Sequence, residues 1–171
     1  MATTHHQRGG SRPTLRNEDL DPAITEVSRK VIGCAIEVHT AIGPGFDQSV
    51  YENALSAALK RDGVAHSVGH EFPVQFAGQR VGSSRASMFV DDKFIVSVVA
   101  DEREVSGFAR SALRAQLRCA DLGLGLIINF HRRRLKDGGL VRVLNPDKIE
   151  SIRGDHGDHG DYDDYDDDDH D

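Results

Sequence analysis

The chain has 171 residues, of which 38% are hydrophobic, enough for one domain with an ordinary core and too few for two. The formal net charge is −7, but residues 154–171 hold ten of the 28 acidic residues and none of the 21 Lys and Arg, which leaves residues 1–153 at +3. This asymmetry is typical of a weakly basic body with an acidic arm. The longest apolar run, residues 122–130, is too short for a membrane span, which needs about 20 residues.

The two cysteines, Cys34 and Cys119, both fall in segments with a helical pattern, and no secretory signal precedes them. Small buried thiols are therefore favoured over a disulfide scaffold, and a cytoplasmic location is expected.

Residues 1–20 mix His, Arg, Gly, Ser and Pro without periodicity, which predicts a disordered leader. Asp21 and Pro22 are typical of the N-cap and the first position of a helix. Apolar residues then recur every three or four positions, which predicts a first helix that packs by one face and ends before Gly43.

A second helix is predicted after the break at Gly43-Pro44-Gly45. Ser49 and Glu52 have the spacing of a capping box, and the helix is expected to reach about Asp62, with Gly63 ending it.

The pattern from residue 66 to residue 100 predicts three antiparallel strands, with turns at residues 77–79 and 91–92. The third strand, residues 94–100, is almost wholly apolar and is expected at the centre of the sheet. A third helix over residues 105–121, a strand over 124–130 and an edge strand over 140–144 complete the order ααβββαββ.

This order predicts an α/β (α+β) domain over residues 21–153, in which helices flank a mixed central β-sheet. The Asp- and His-rich residues 154–171 are expected to form a disordered acidic tail.

Two segments carry a resemblance to a known family. Residues 36–39 read Ile-Glu-Val-His, and residues 43–55 read Gly-Pro-Gly-Phe-Asp-Gln-Ser-Val-Tyr-Glu-Asn-Ala-Leu. With residues 85–100 and 125–130, they resemble the GxxExxY family, a branch of the PD-(D/E)XK nuclease-like proteins. The resemblance covers roughly residues 22–145 and implies the nuclease-like core fold.

The resemblance also implies a metal-dependent hydrolytic site, in which carboxylates hold divalent cations and a Lys assists the attacking water. In this chain neutral residues fill the corresponding positions, while Gly45, Tyr51, Asn129 and Phe130 of the surrounding pattern are kept. The substituted positions are Gln48, Ser87, Ser97, Val99 and Ala112. Hydroxyls and amides replace carboxylates poorly around a hard dication, so no catalytic residues and no cofactor are expected.

Displaced ligands are an alternative, with Asp91, Asp92, Asp101 or Glu102 holding the metal. The first two are more typical of a turn, and the last two follow the end of the strand. Glu37 is a further candidate as a relict ligand, although hydrogen bonding to the turn after the first helix is the simpler interpretation. His39 lies two residues on, so the two side chains point in different directions.

Six arginines form two basic groups. Arg110, Arg114 and Arg118 recur every four residues and predict a basic ridge on the third helix, and Arg132, Arg133 and Arg134 follow the apolar strand. They are consistent with solvated surface, with binding of nucleic-acid phosphates, or with contact to a protein. Aromatic residues for base stacking are scarce.

The tail offers His156, His159 and His170 beside its Asp residues, a composition that allows weak metal binding without an ordered site. Solvation of the protein is the simpler interpretation of such a tail.

Three functions follow. The first is a catalytically inactive nuclease-like protein that acts as a structural or self-assembling module, as a homo-oligomer or with another protein partner. The others are a metal-dependent nuclease with displaced ligands and a nucleic-acid-binding module without cleavage. No membrane partner is expected.

Overall fold

In a computed structural model of the chain, residues 16–154 are described. Four α-helices and seven β-strands account for most of this segment. The helices are α1 Pro22–Ile42, α2 Gln48–Arg61, α3 Gly107–Ala120 and α4 Ile149–Ile152. The strands are β1 His66–Val68, β2 Glu71–Phe76, β3 Gln79–Arg85, β4 Met88–Val90, β5 Phe94–Val99, β6 Leu124–Asn129 and β7 Leu140–Leu144. No helix of this segment combines the length and the apolar character needed to cross a bilayer.

Helix α1 begins where the sequence predicted. The Asp21 carboxylate accepts a hydrogen bond from the backbone N–H of Ala23 at 2.8 Å, and Pro22 occupies the first turn. The helix ends at Gly43, whose φ of 69° lies in the left-handed region that favours glycine.

The N-terminus of α2 differs from the prediction. Asp47 is the N-cap residue and makes no side-chain capping bond, so the expected capping box of Ser49 and Glu52 is wrong. Glu52 instead turns inward, where its side chain is buried and accepts a hydrogen bond from the Gln48 amide at 2.9 Å.

The main sheet has five strands in the order β1-β4-β5-β6-β7. Strands β5 and β6 are parallel and are joined through α3, while every other neighbouring pair is antiparallel. The predicted mixed sheet with flanking helices is therefore confirmed, as are the central place of β5 and the edge place of β7.

Residues 66–90 form one long hairpin that bends in its middle. The pairing of β1 with β4 continues through the bonds Gly69 N–H to Ser87 O and Ala86 N–H to His70 O, and then into the β2–β3 pair. The bend separates β2 and β3 from the main sheet as a two-stranded sheet, which we call the hairpin arm. The predicted three strands are therefore five, because the bend divides each of the first two.

The two faces of the main sheet carry separate apolar cores. Helices α1 and α2 cover one face, with Val96, Val98 and Leu126 among the strand residues beneath them. Helix α3 and the start of the arm cover the other, over Ile95 and Ile127. Since successive strand residues alternate between faces, the odd-numbered positions of β5 point toward α3.

The chain termini of the described segment meet beside β6. Ile152 of α4 lies against Gly123, where any β-carbon would approach its Cγ2 atom to 2.5 Å. Leu20 is buried and bridges Arg153, and Gly154 N–H bonds to Asp19 O. Asp19 and Leu20, at the end of the expected leader, thus pack on the domain, while residues 1–15 and 155–171 lie outside the described segment.

Candidate functional site

Three of the positions that the resemblance assigns to catalytic residues lie close together at the β4–β5 pair. The pairing of Met88 with Val96 in β4 and β5 places Ser87 next to Ser97 at the end of β4. Val99 lies two residues further along β5, and it packs in the same cluster as Ile95. The fold therefore brings these three positions together.

The Ser87 hydroxyl has a backbone partner. It accepts a hydrogen bond from the N–H of Val98 at 3.1 Å, at the point where β4 leaves the sheet and its ladder to β5 stops. Both residues are buried, so this bond satisfies a donor that water does not reach. The Ser87 hydroxyl thus extends the hydrogen bonding between β4 and β5 by one bond beyond the backbone ladder.

A cleft of about 590 Å³ opens beyond the carboxyl ends of the parallel strands β5 and β6. Val99 and Asn129 form its floor, and the loop that leads into α3 forms its wall, which includes Val105 and Phe108. Such ends of parallel strands are common places for ligand sites in α/β proteins. The floor here presents an apolar side chain and a neutral amide.

Asn129 is fully buried and holds the loop after β5. Its Oδ1 accepts hydrogen bonds from the backbone N–H groups of Asp101 and His131, at 3.3 and 3.1 Å. Its Nδ2 donates to the carbonyls of Asp101 and Arg103, at 2.8 and 3.0 Å. The Asn129 amide thus makes two hydrogen bonds as acceptor and two as donor, and these bonds hold the loop that borders the cleft. Its polar side chain at the end of an apolar run was the sequence signal for this role.

Asp101, one of the candidates for displaced ligands, lines this cleft. Its carboxylate accepts bonds from the Arg103 side chain at 2.8 and 3.1 Å and from the Arg103 backbone N–H at 2.9 Å. These bonds lower the pKa of Asp101 to about 2. The carboxylate of Asp101 is thus paired with an arginine whose side chain is exposed.

The other candidate ligands lie elsewhere. Asp91 pairs with Lys93, Asp92 is exposed, and both have positive φ in the turn before β5, as predicted. Glu102 is exposed in the loop after that strand. Within residues 16–154, no three His, Cys, Asp or Glu side chains lie close enough to hold a metal ion together.

The other two positions that the resemblance assigns to functional residues, Gln48 and Ala112, are exposed on helices. Gln48 begins α2, which packs on the opposite face of the sheet from α3. Ala112 lies on α3, one residue before the buried Leu113.

The Glu37 carboxylate forms an ion pair with an arginine of α2. Its two oxygens accept bonds from the two terminal nitrogens of Arg61 at 2.6 and 2.7 Å, a bidentate pair that lowers the pKa of Glu37. The expected bond to the turn after α1 is therefore wrong. His39 points elsewhere, as expected, and its Nε2 contacts the carbonyl of Arg132 at 2.7 Å.

The Gly-Pro-Gly-Phe turn is held by hydrogen bonds to two ring side chains, Tyr51 of α2 and His131 after β6. The Tyr51 hydroxyl donates to Gly43 O at 2.7 Å and accepts from Phe46 N–H at 3.2 Å. His131 Nε2 contacts Phe46 O at 2.9 Å. These bonds fix the turn beside the cleft end of the sheet.

The two basic groups occupy different parts of the surface. Arg110 and Arg118 are exposed and Arg114 is half-buried along α3, which confirms that they share a helix. Arg132, Arg133 and Arg134 lie in the turn after β6. The tail residues His156, His159 and His170 lie outside the described segment.

Comparison with known proteins identifies the family. A family model described as the PD-(D/E)XK nuclease superfamily matches residues 25–143. Neither a curated protein nor a solved structure gives a significant match. The matched range includes α1 to β7 except for a few terminal residues, and the mixed five-stranded sheet flanked by helices agrees with the nuclease-like fold. The chain belongs to the PD-(D/E)XK nuclease superfamily.

Proposed function

We propose that this protein is a catalytically inactive nuclease-like protein of the GxxExxY branch, which serves as a structural, self-assembling or protein-interaction module. The observation that carries the proposal is that the neutral residues Ser87, Ser97 and Val99 lie close together at the β4–β5 pair. The family resemblance assigns two carboxylates and a lysine to these positions.

The chemistry of metal capture supports this proposal. A magnesium-like ion gives up hydrating water only to strong oxygen ligands, usually carboxylates. The Ser87 oxygen already accepts a backbone bond, and Val99 has neither a charge nor a proton to donate. The acidic groups Glu37 and Asp101 are each paired with an arginine, so placing either on a metal would first cost the ion pair.

The direct test compares the natural chain with a variant in which the family residues are restored, Ser87→Asp, Ser97→Glu and Val99→Lys. Each protein is incubated with plasmid and single-stranded nucleic acid in magnesium or manganese, and bound Mn²⁺ is measured by electron paramagnetic resonance. We expect neither tight Mn²⁺ binding nor cleavage by the natural chain. We expect Mn²⁺ binding to appear in the restored variant.

Cleavage by the natural chain that disappears in Asp101→Asn, but persists in the turn variant Asp92→Asn, would instead establish a nuclease with displaced ligands. The matched Asp92→Asn variant controls for contaminating nucleases, since a contaminant is unaffected by either substitution.

Exposed apolar side chains support the interaction role. Phe76 is 75% exposed at the tip of the hairpin arm, with Val81 also exposed nearby, and Phe108 is 84% exposed at the start of α3. Large exposed apolar groups are common at protein interfaces. Sedimentation velocity over a range of protein concentrations tests self-assembly, which predicts a size that grows with concentration. A constant monomer would reject it.

The arginines support a second candidate, a nucleic-acid-binding module without cleavage. Arg110, Arg114, Arg133 and Arg134 make no ion pair with other residues of the described segment. Binding through phosphates weakens steeply with salt, so a gel shift that is lost at high salt favours this candidate.

A further inference from the structure

The ridge on α3 is a row of cationic side chains with few anionic neighbours. Arg110 and Arg114 have no ion-pair partner in residues 16–154, and Arg118 has only Asp147, at 3.8 Å. Four residues of α-helix rise about 6 Å, so the ridge extends about 12 Å from Arg110 to Arg118. It is a linear cationic surface.

The turn that leads into the last described helix lies beside the Arg118 end of this ridge. Asp147 of the turn before α4 is the residue that approaches Arg118, and Lys148 pairs with Asp121, the C-cap residue of α3, at 2.8 Å. Gly154, the last described residue, follows α4 directly and is fixed by its bond to Asp19.

The segment that continues from Gly154 has the matching charge. Residues 155–171 contain ten Asp and no Lys or Arg. An extended chain of this length reaches about 55 Å, several times the length of the ridge. A few residues are therefore enough to pass Arg118, and the Asp-rich residues 161–169 lie within reach of all three arginines.

We propose that residues 155–171 of each molecule lie along the α3 ridge of the same molecule and neutralise it. Attachment to the same molecule gives the segment a high effective concentration at the ridge, which favours the intramolecular contact over one between molecules. The bonds are between exposed charges, so salt weakens the contact. The arginine turn after β6, about 20 Å from the start of that strand, is also within reach of the segment, so the test compares the two surfaces.

The experiment places a nitroxide spin label in the segment of the full chain, at Tyr165→Cys in a Cys119→Ser background. Paramagnetic broadening of backbone amides by NMR then reports which surface the label approaches. At low salt we expect strong broadening of residues 110, 114 and 118, little broadening of residues 132–134, and loss of the effect at high salt. A mixture of spin-labelled ¹⁴N chains and unlabelled ¹⁵N chains should show no broadening.

Charge reversal provides the matched variants. Arg110→Glu with Arg114→Glu should remove the broadening of α3, whereas Arg133→Glu with Arg134→Glu should preserve it. Unchanged amide shifts of the sheet strands show that each variant is folded. Broadening centred on residues 132–134, broadening in the mixed sample, or no low-salt effect on α3 would each overturn the proposal.

Discussion

The ring of Tyr51 stacks on the ring of Phe130, with centroids 4.6 Å apart and planes 8° from parallel. Tyr51 belongs to α2 and Phe130 directly follows β6, so one contact joins the Gly-Pro-Gly-Phe turn to the end of the sheet. Both side chains are fully buried. The residues that resemble the family pattern most closely therefore hold the scaffold at its cleft end.

Tyr51→Phe should lower the free energy of unfolding by about 1–2 kcal/mol, because the ring remains while Gly43 O and Phe46 N–H lose their shared partner. Urea denaturation measures the change. Val50→Ala, at an exposed position of the same helix, should change it by less than about 0.5 kcal/mol. Equal losses in the two variants would show that the hydroxyl does not hold the turn.

Ser87→Ala should destabilise the protein more than Ser97→Ala. Removing the Ser87 hydroxyl leaves the buried Val98 N–H without an acceptor, at a cost of about 1–3 kcal/mol. Ser97 makes no side-chain hydrogen bond to another described residue, so its loss should cost well under about 1 kcal/mol. Chemical denaturation of the matched pair measures the difference. A Ser97→Ala variant as unstable as the Ser87→Ala variant would contradict the structural role of this bond.

Asn129→Asp should lower the free energy of unfolding substantially, although the two side chains have nearly the same size. A carboxylate accepts the two N–H bonds but has no donor for the carbonyls of Asp101 and Arg103, and it buries a charge, which together cost about 2–4 kcal/mol. Asn53→Asp, at an exposed position of α2, provides the control. Hydrogen exchange should also become faster in residues 101–105 of the Asn129→Asp variant alone. Unchanged exchange there would mean that another contact holds the loop.

The positions of the helices and of the apolar strands followed from the sequence because their signals are local. Asp21-Pro22 marks a helix start, and the apolar run of β5 marks a central strand whatever the partner strands are. The bend at residues 69–70 was missed, although Gly69, with a φ of 65°, is a local signal for a bulge or bend within a strand. The direction of the bend, in which the β1–β4 ribbon leaves the sheet for α3, depends on tertiary packing that short-range patterns do not encode.

The convergence of Ser87, Ser97 and Val99 was accessible only through the family resemblance, since their separation along the chain carries no periodic signal. The bidentate pair of Glu37 and Arg61, which lie 24 residues apart in sequence, joins α1 to α2 and was likewise missed. Glu52 was instead predicted to make a contact that it does not make. Its spacing from Ser49 is that of a capping box, but its side chain packs inside the domain and bonds to Gln48.

Cys34 should be nearly inert toward alkylation in the folded protein. The thiol is only 2% exposed, and burial raises its pKa to about 11, with the hydrogen bond to Asp62 adding to the effect. At pH 8 its reaction with iodoacetamide should be more than about 100-fold slower than that of an ordinary thiol, because the thiolate is the nucleophile. Peptide mapping should find Cys119 modified first. Both cysteines should react at similar rates in denaturant, and similar rates in the folded state would refute the assignment.

The Glu37–Arg61 pair predicts a specific dependence of stability on pH. Because Arg61 holds the folded-state pKa of Glu37 below its ordinary value of 4.5, the unfolded chain binds more protons than the folded one as pH falls below about that value. The pair's contribution is therefore complete above this range and is lost as pH falls through the folded-state pKa. Glu37→Gln should give a flatter decline of unfolding free energy with acid, so the two curves converge at low pH. Arg61→Gln should flatten the curve of unfolding free energy over the same pH range, since it removes the cation that also lowers the pKa of Asp62. Denaturation at a series of pH values measures the slopes, and parallel curves for the natural chain and both variants would show that the pair is open in solution.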